Sequence, residues 1–194
     1  MIAPDRFIAD QHFDYAGWLE ARKRGVSATT VAKAATPSGF DQVVSEWGQD
    51  GNISDNAYMA FGRAQEGFIG MWVKEHFGLI PQSWLFRHES VEWAIATPDA
   101  LSLGHNQIGE FKTTGKDWVK PPIQYIRPVQ WQLYVTGADS CLFAWLLREQ
   151  VDTETGPLMV PAWFEPKFLV IERNEKMIAD LVDVGERLWG VVNG

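Results

Sequence analysis

The chain has 194 residues, 46% of them hydrophobic and 22% charged, a balance inside the globular range that excludes disordered, collagenous and low-complexity classes. Ten Trp give it apolar bulk enough for a substantial core, and the lone Cys141 allows neither an internal disulfide nor a cysteine-held zinc or iron–sulfur centre. No apolar run reaches the roughly 18 residues of a membrane span, and the opening Met1-Ile-Ala-Pro-Asp-Arg6 lacks the basic-then-apolar order of a secretion signal. One soluble, cytoplasmic domain over residues 1–194, with no membrane partner, is the expectation.

A formal charge of −8, from 17 basic and 25 acidic residues, argues against a polyanionic partner if it is evenly spread. It is not. Lys112, Lys116, Lys120 and Arg127 share a segment with a single acid, Asp117, and Arg22-Lys23-Arg24 is a second basic cluster, whereas residues 149–194 hold nine acids against four bases. Two basic segments beside an acidic tail can draw a polyanion into one cleft while the remaining surface repels it.

Along the chain, Asp14 is placed to cap a first helix through Trp18, Leu19 and Ala21, with Gly25 just past its end. Ser27 or Thr29 opens a short second helix through Val31 and Ala35. Residues 36–55, with Pro37, Gly39, Gly48 and Gly51, read as a connection carrying one helical turn around Val43-Val44. Asp55 would cap a long helix running to Phe77 and stopped by Gly78, along which Tyr58, Phe61, Phe68, Met71 and Trp72 recur at roughly helical spacing. Beyond Gly78 the pattern becomes extended: Val91–Thr97 is rich in β-formers, Pro98-Asp99 breaks it, a turn follows at Gly104–Gln107, and Ile108–Thr114 is the next strand. Pro128 suits the first turn of a helix to about Thr136. Ser140–Leu147 and Phe168–Glu172 read as further strands, and Asn174 caps a last helix to about Val192. This order implies an α/β (α+β-like) domain, one central mixed sheet flanked by helices.

The segment richest in chemistry is Thr97-Pro98-Asp99 followed, ten residues on, by Glu110-Phe111-Lys112. Alternate side chains of a strand share a face, so Glu110 and Lys112 point together while Phe111 turns into the core. Pairing of this strand with one ending at Asp99 would converge two carboxylates and an ammonium. Carboxylates are hard oxygen donors suited to Mg²⁺ or Mn²⁺, and an adjacent lysine can orient or deprotonate a water that attacks a phosphodiester. Taken alone, the same residues also fit a turn cap and a solvated same-face pair. Glu66 stands mid-helix between Gly62 and Gly70, where bare backbone allows a metal or a strand to approach. Gln130 and Tyr134 share a helix face. Arg22 and the hydroxyls of Ser27 and Thr29 stand at a helix start, where an anion is favoured.

Seven short patterns occur in order: Trp18-(x3)-Arg22, Val26-Ser-Ala-Thr-Thr-Val31, Gly62-(x3)-Glu66, Pro98-Asp99, Glu110-x-Lys112, Gln130-(x3)-Tyr134 and Phe168-Leu-Val-Ile-Glu-Arg-Asn-Glu-Lys176. From about Trp18 to Leu188 they resemble the phage lambda-exonuclease, or YqaJ-type viral recombinase, branch of the PD-(D/E)XK nucleases. The resemblance implies a PD-(D/E)XK core in which Asp99, Glu110 and the Phe111 carbonyl hold Mg²⁺, or Mn²⁺ in its place, and Lys112 is the catalytic lysine. Glu66 matches the helix carboxylate near the second metal, and Gln130 the glutamine that supports the site. Arg22 and Thr29, with Ser27 beside them, match the group that holds the 5′-phosphate; Thr29 stands where the family usually has serine. Lys116, Lys120 and Tyr134 complete the expected DNA contacts.

The implied activity is 5′→3′ exonucleolysis of double-stranded DNA from phosphorylated ends, releasing 5′-mononucleotides and leaving 3′ single strands for a phage-type annealing protein. Relatives form a toroidal trimer, so a homo-oligomer is expected, in the bacterial host cytoplasm if phage-encoded. No iron–sulfur cluster is expected, since one cysteine cannot hold it. The same core also serves endonucleases and junction resolvases, and a silent DNA-end-binding protein could keep the fold. The presence together of Asp99, Glu110 and Lys112 favours an active enzyme over the last.

Overall fold

The computed structural model describes residues 2, 4–48, 56–154 and 156–194. Its elements are β1 (Phe7–Asp10), α1 (Tyr15–Lys23), α2 (Ala28–Ala34), α3 (Gly39–Glu46), α4 (Ala57–Phe77), β2 (Ile80–Pro81), β3 (Trp84–Arg87), β4 (Ile95–Ala96), β5 (Ala100–Leu101), β6 (Gln107–Thr114), α5 (Ile123–Thr136), β7 (Ser140–Thr153), β8 (Gly156–Pro161), β9 (Lys167–Glu172) and α6 (Glu175–Asn193). Six strands form a mixed sheet in the order β2-β5-β6-β7-β8, with β9 paired to the first part of β7; β1, β3 and β4 form a second, antiparallel sheet. The parallel pair β6 and β7 needs a crossover, which α5 provides.

Period-two alternation on β6 decides which layer each side chain joins. Ile108 enters the large core with Val129, Trp131 and Leu133 of α5 and Leu181 and Leu188 of α6, while Phe111 enters a smaller core with Ile69 and Val73 of α4. Helices therefore cover both faces of the sheet, and Glu110 falls on the α5 side. Gly70 lets α4 settle: a Cβ there would stand 3.3 Å from the Phe111 ring and 3.0 Å from Pro81. The bare backbone beside Glu66 thus admits a strand.

Several element expectations change. The connection after α2 holds a two-turn helix, α3, because Val43 buries and Phe40 and Val44 pack on the main core. Asp55 lies outside the described residues, and the cap of α4 is Asn56, whose Oδ1 accepts from the Met59 N–H at 3.0 Å. The strand read over Val91–Thr97 shrinks to β4, and its partner β3 escaped the pattern because Leu85 and Phe86 bury on opposite faces and leave no alternation. The α5 helix begins at Ile123, so Pro128 lies inside it rather than in its first turn; the forfeited hydrogen bond is tolerated because Val129, Trp131, Leu133 and Val135 are fully buried beyond it. Past Leu147 the largely polar chain continues as a hairpin of β7 with β8.

Candidate active site

The turn between α1 and α2 is tied to the segment that leads into Asp99. The Val26 N–H donates to Trp93 O at 2.7 Å, and the Ile95 N–H donates to Val26 O at 3.2 Å. Gly25 permits the approach, since a Cβ there would lie 2.7 Å from Trp93 O, and its role is this contact rather than a left-handed turn. Arg22, Ser27 and Thr29 are thereby brought onto the wall of a cavity of about 280 Å³ that Glu66, Asp99, Glu110 and Lys112 also line.

Asp99 precedes β5, and it is β5, not the strand before Asp99, that pairs with β6. The Asp99 N–H donates to Gly109 O at 2.9 Å, and its Oδ2 accepts from the Phe111 N–H at 2.6 Å, which fixes the carboxylate against β6. Glu110, 6% exposed, takes the Lys112 ammonium on Oε1 at 2.5 Å and the Gln132 Nε2 on Oε2 at 2.7 Å. Burial first, and then the charge of Glu110, push the Asp99 carboxyl well above its ordinary range. Burial alone would lower the Lys112 pKa, but Glu110 and Asp99 outweigh it and hold the ammonium above its usual value. Lys112 is a cation here, paired with Glu110 in the lining of the cavity.

Also in the lining, the Arg22 guanidinium lies 4.9 Å over the Trp18 ring, and Trp18 is stacked by Tyr15 and linked through Nε1 to Thr97 Oγ1 at 3.4 Å. Among the described residues no carboxylate pairs with Arg22, and burial lowers its pKa; it remains charged. Ser27 caps α2 by accepting from the Thr30 N–H at 3.3 Å and shares a 2.8 Å hydroxyl contact with Thr30, so its oxygen is engaged in the fold, whereas Thr29 is exposed to the cavity.

Four expected residues lie elsewhere. Gln130 serves main chain: its Nε2 donates to Glu172 O and its Oε1 accepts from the Asn174 N–H, both at 2.8 Å, which ties α5 to the start of α6. The glutamine at the carboxylates is Gln132, two residues along the same helix. Tyr134 stacks on His88 at 4.2 Å and packs on the main core. Lys116 and Lys120 are exposed in the loop after β6, outside the cavity lining, and Lys167 of the acidic tail joins that loop by pairing with Asp117. Gln11 and Gln132 line the cavity without having been marked by the sequence, and Thr97, read there only as the start of the Thr97-Pro98-Asp99 segment, lines it too; for Gln132 the doubled glutamine Gln130-Trp-Gln132 offered a sign.

The donor set suits a divalent ion that keeps much of its water. Among the described residues no three His, Cys, Asp or Glu side chains form a metal-holding group, so the protein's side-chain share is the two carboxylates at hand. That is the pattern of Mg²⁺ bound by one or two carboxylates and by substrate phosphates. An Asp99 carboxyl whose pKa is raised by burial and by nearby Glu110, and a buried Gln132 Oε1 with no hydrogen-bond partner among the described residues, fit a cation and its water.

A model of the YqaJ-like viral recombinase domain matches residues 17–139, a span that includes Arg22, Glu66, Asp99, Glu110, Lys112 and Gln132. The chain belongs to the YqaJ-like viral recombinase family. Its fold is shared with an alkaline exonuclease from Laribacter hongkongensis, at TM-score 0.73 and 23% identity over 91% of each chain. That enzyme in complex with dAMP matches at TM-score 0.69 and 21% identity, again over 91% of each chain. A phage-related exonuclease from Haemophilus somnus 129PT matches at TM-score 0.67 and 12% identity, over 87% of this chain and 93% of that one. No curated protein matches. The expected mixed sheet flanked by helices is thus a nuclease fold, and YqaJ-like membership supports a nuclease role. No described helix is long and apolar enough to cross a membrane.

Proposed function

We propose that this YqaJ-like protein is a metal-dependent exonuclease that hydrolyses one strand of duplex DNA from 5′-phosphorylated ends, releasing 5′-mononucleotides and leaving 3′ single strands. One observation supports the reading: Arg22 and Thr29, a guanidinium and a hydroxyl suited to an anion, line the same cavity as Asp99, Glu110 and Lys112. A general nuclease needs only the second group; an enzyme that measures from a strand end needs both.

Asp99, Glu110 and the Phe111 carbonyl would hold Mg²⁺, with Mn²⁺ as substitute and Glu66 close to the ion's waters. The bound ion supplies a water of lowered pKa and charge for the leaving oxygen. The chain's own residues do the rest. Arg22 donates in parallel to the terminal phosphate, which carries charge and acceptors that internal phosphates lack. Lys112 sets its ammonium against the scissile phosphate, where negative charge grows. Lys116 and Lys120 extend the basic track for duplex beyond the cavity. The dAMP bound to a fold neighbour is a 5′-mononucleotide, the product class expected here. A trimeric ring and a single-strand annealing partner, which the resemblance implies, belong to the same reading.

The test is duplex DNA labelled at either end, with and without a 5′-phosphate, incubated with Mg²⁺, Mn²⁺, Ca²⁺ or chelator. Early release of the 5′-label as mononucleotide, faster with the phosphate and abolished by chelator, is the expected result. Internal cuts would replace the reading with an endonuclease, and end binding without cleavage would replace it with a silent partner.

A further inference from the structure

Gln132 is 4% exposed and lines the cavity from α5. Its Nε2 donates to Glu110 Oε2 at 2.7 Å. An ionised carboxylate only accepts, so the amide must present its N–H groups to Glu110 and turn its oxygen away. That oxygen, Oε1, is buried and has no hydrogen-bond partner among the described residues. A buried acceptor left unpaired is costly, and native folds rarely keep one without a partner from solvent or ligand. Gln130, on the same helix, shows the contrast: both ends of its amide are occupied by main chain.

We infer that Gln132 is a positioning residue for the reaction proposed above, on which the inference rests. Its amide N–H holds Glu110 in the orientation that binds the metal, and its free carbonyl accepts a hydrogen of the attacking water. In the step, the water oxygen bonds to phosphorus and the bond from phosphorus to the 3′-oxygen of the terminal nucleotide breaks. One water proton reaches the departing 3′-oxygen, and the other is released from the new phosphate. Gln132 takes no proton; it fixes the direction of the water's lone pair and keeps Glu110 from rotating toward Lys112, which already engages its other oxygen. The sequence placed this duty on Gln130, and one turn geometry explains the exchange. Residues two apart on a helix lie about 200° apart, so the two glutamines face opposite ways. One meets the sheet's carboxylates and the other meets the start of α6.

Gln132→Met keeps length and volume while removing both donor and acceptor; Gln130→Met is its control. For Gln132→Met, the expected result is a kcat about 10- to 100-fold lower at saturating Mg²⁺, with the KM for DNA ends within about twofold, from loss of a hydrogen bond to a charged group and of one to water. Mn²⁺ binding to the DNA-free protein, followed by electron paramagnetic resonance, should weaken several-fold. Gln130→Met should lower the melting temperature while leaving the kcat of the folded protein and its Mn²⁺ affinity unchanged. Gln132→Glu, which keeps an acceptor but loses the donor, should weaken or invert the Glu110 contact and so share the loss of kcat. Wild-type kcat and Mn²⁺ affinity in Gln132→Met would overturn the inference, as would loss of both in Gln130→Met alone. If no variant, wild type included, degrades DNA, the nuclease reading fails by itself. The Mn²⁺ titration still decides whether Gln132 orients Glu110.

Discussion

Replacing Asp99 by asparagine separates what the cavity needs for chemistry from what the fold needs for stability. Asp99 is held in the cavity wall with Oδ2 on the Phe111 N–H, and burial together with the nearby Glu110 raises its pKa well above the ordinary carboxyl value. An amide in its place can still accept from the Phe111 N–H, while the like charge facing Glu110 disappears. Because Asp99 is only partly buried in the cavity wall, the relief is well below that of a fully buried ion, on the order of 1–2 kcal/mol. At about 2–4 °C per kcal/mol for a chain of this size, Asp99→Asn should melt about 2–8 °C higher than the wild type in chelator at pH 8. Because its folded pKa is raised, Asp99 holds more proton folded than unfolded between about pH 4 and that raised value, so wild-type stability falls as pH rises through this window. The variant does not titrate there, and its advantage should narrow toward pH 4. Differential scanning calorimetry across pH, with and without Mg²⁺, reads both effects. Added Mg²⁺ should raise the wild-type melting temperature and leave the variant's nearly unchanged, and DNA degradation by the variant should be lost. A variant less stable than the wild type at pH 8, or one stabilised equally by Mg²⁺, would refute the reasoning.

Arg22→Ala should slow turnover on 5′-phosphorylated ends by about 10- to 150-fold, from a charge-assisted hydrogen bond of about 1.5–3 kcal/mol, and cost far less on unphosphorylated ends; equal losses on both would make Arg22 a general contact. Gly25→Ala forces a Cβ to 2.7 Å from Trp93 O, so it should destabilise the protein by about 1–3 kcal/mol and blunt the preference for phosphorylated ends, measured by denaturant titration beside the same end assay. Cys141 is fully buried, and burial, with Glu110 and Asp99 adding to it, raises its thiol pKa; native protein should be alkylated at least about 100-fold more slowly than unfolded protein, and rapid native labelling would contradict that burial.

Sequence patterning was most legible where one local signal sets a position. Asp14, Ser27 and Asn174 each cap the helix assigned to them, and Glu110-x-Lys112 lies on one strand face because the period of a strand is fixed. Tertiary choices were less visible. Whether Asp99 ends one strand or precedes the next depends on which neighbour pairs with β6, and no residue near Asp99 encodes that. Gln130 and Gln132 are chemically identical, and only the rotation of α5, set by where Trp131 and Leu133 bury, decides which meets Glu110. The helix holding them was itself misplaced at its start, since Pro128 marks a favoured first turn in isolation but is carried inside by the buried residues that follow. Lys167, counted with an acidic tail along the chain, joins Asp117 in the basic loop because β9 folds back beside β7.

The central claim is that Asp99, Glu110 and Lys112 act as one metal-dependent hydrolytic unit, and a double-mutant cycle tests it most directly. Purified wild type, Glu110→Ala, Lys112→Ala and the double variant are compared on 5′-phosphorylated duplex at saturating Mg²⁺, with circular dichroism verifying the fold of each. Groups that act as a unit are strongly non-additive. Each single variant should lose most of the wild-type rate, and the double variant should be scarcely slower than either. Near-wild-type rates in both single variants, or losses that simply multiply in the double, would contradict the account.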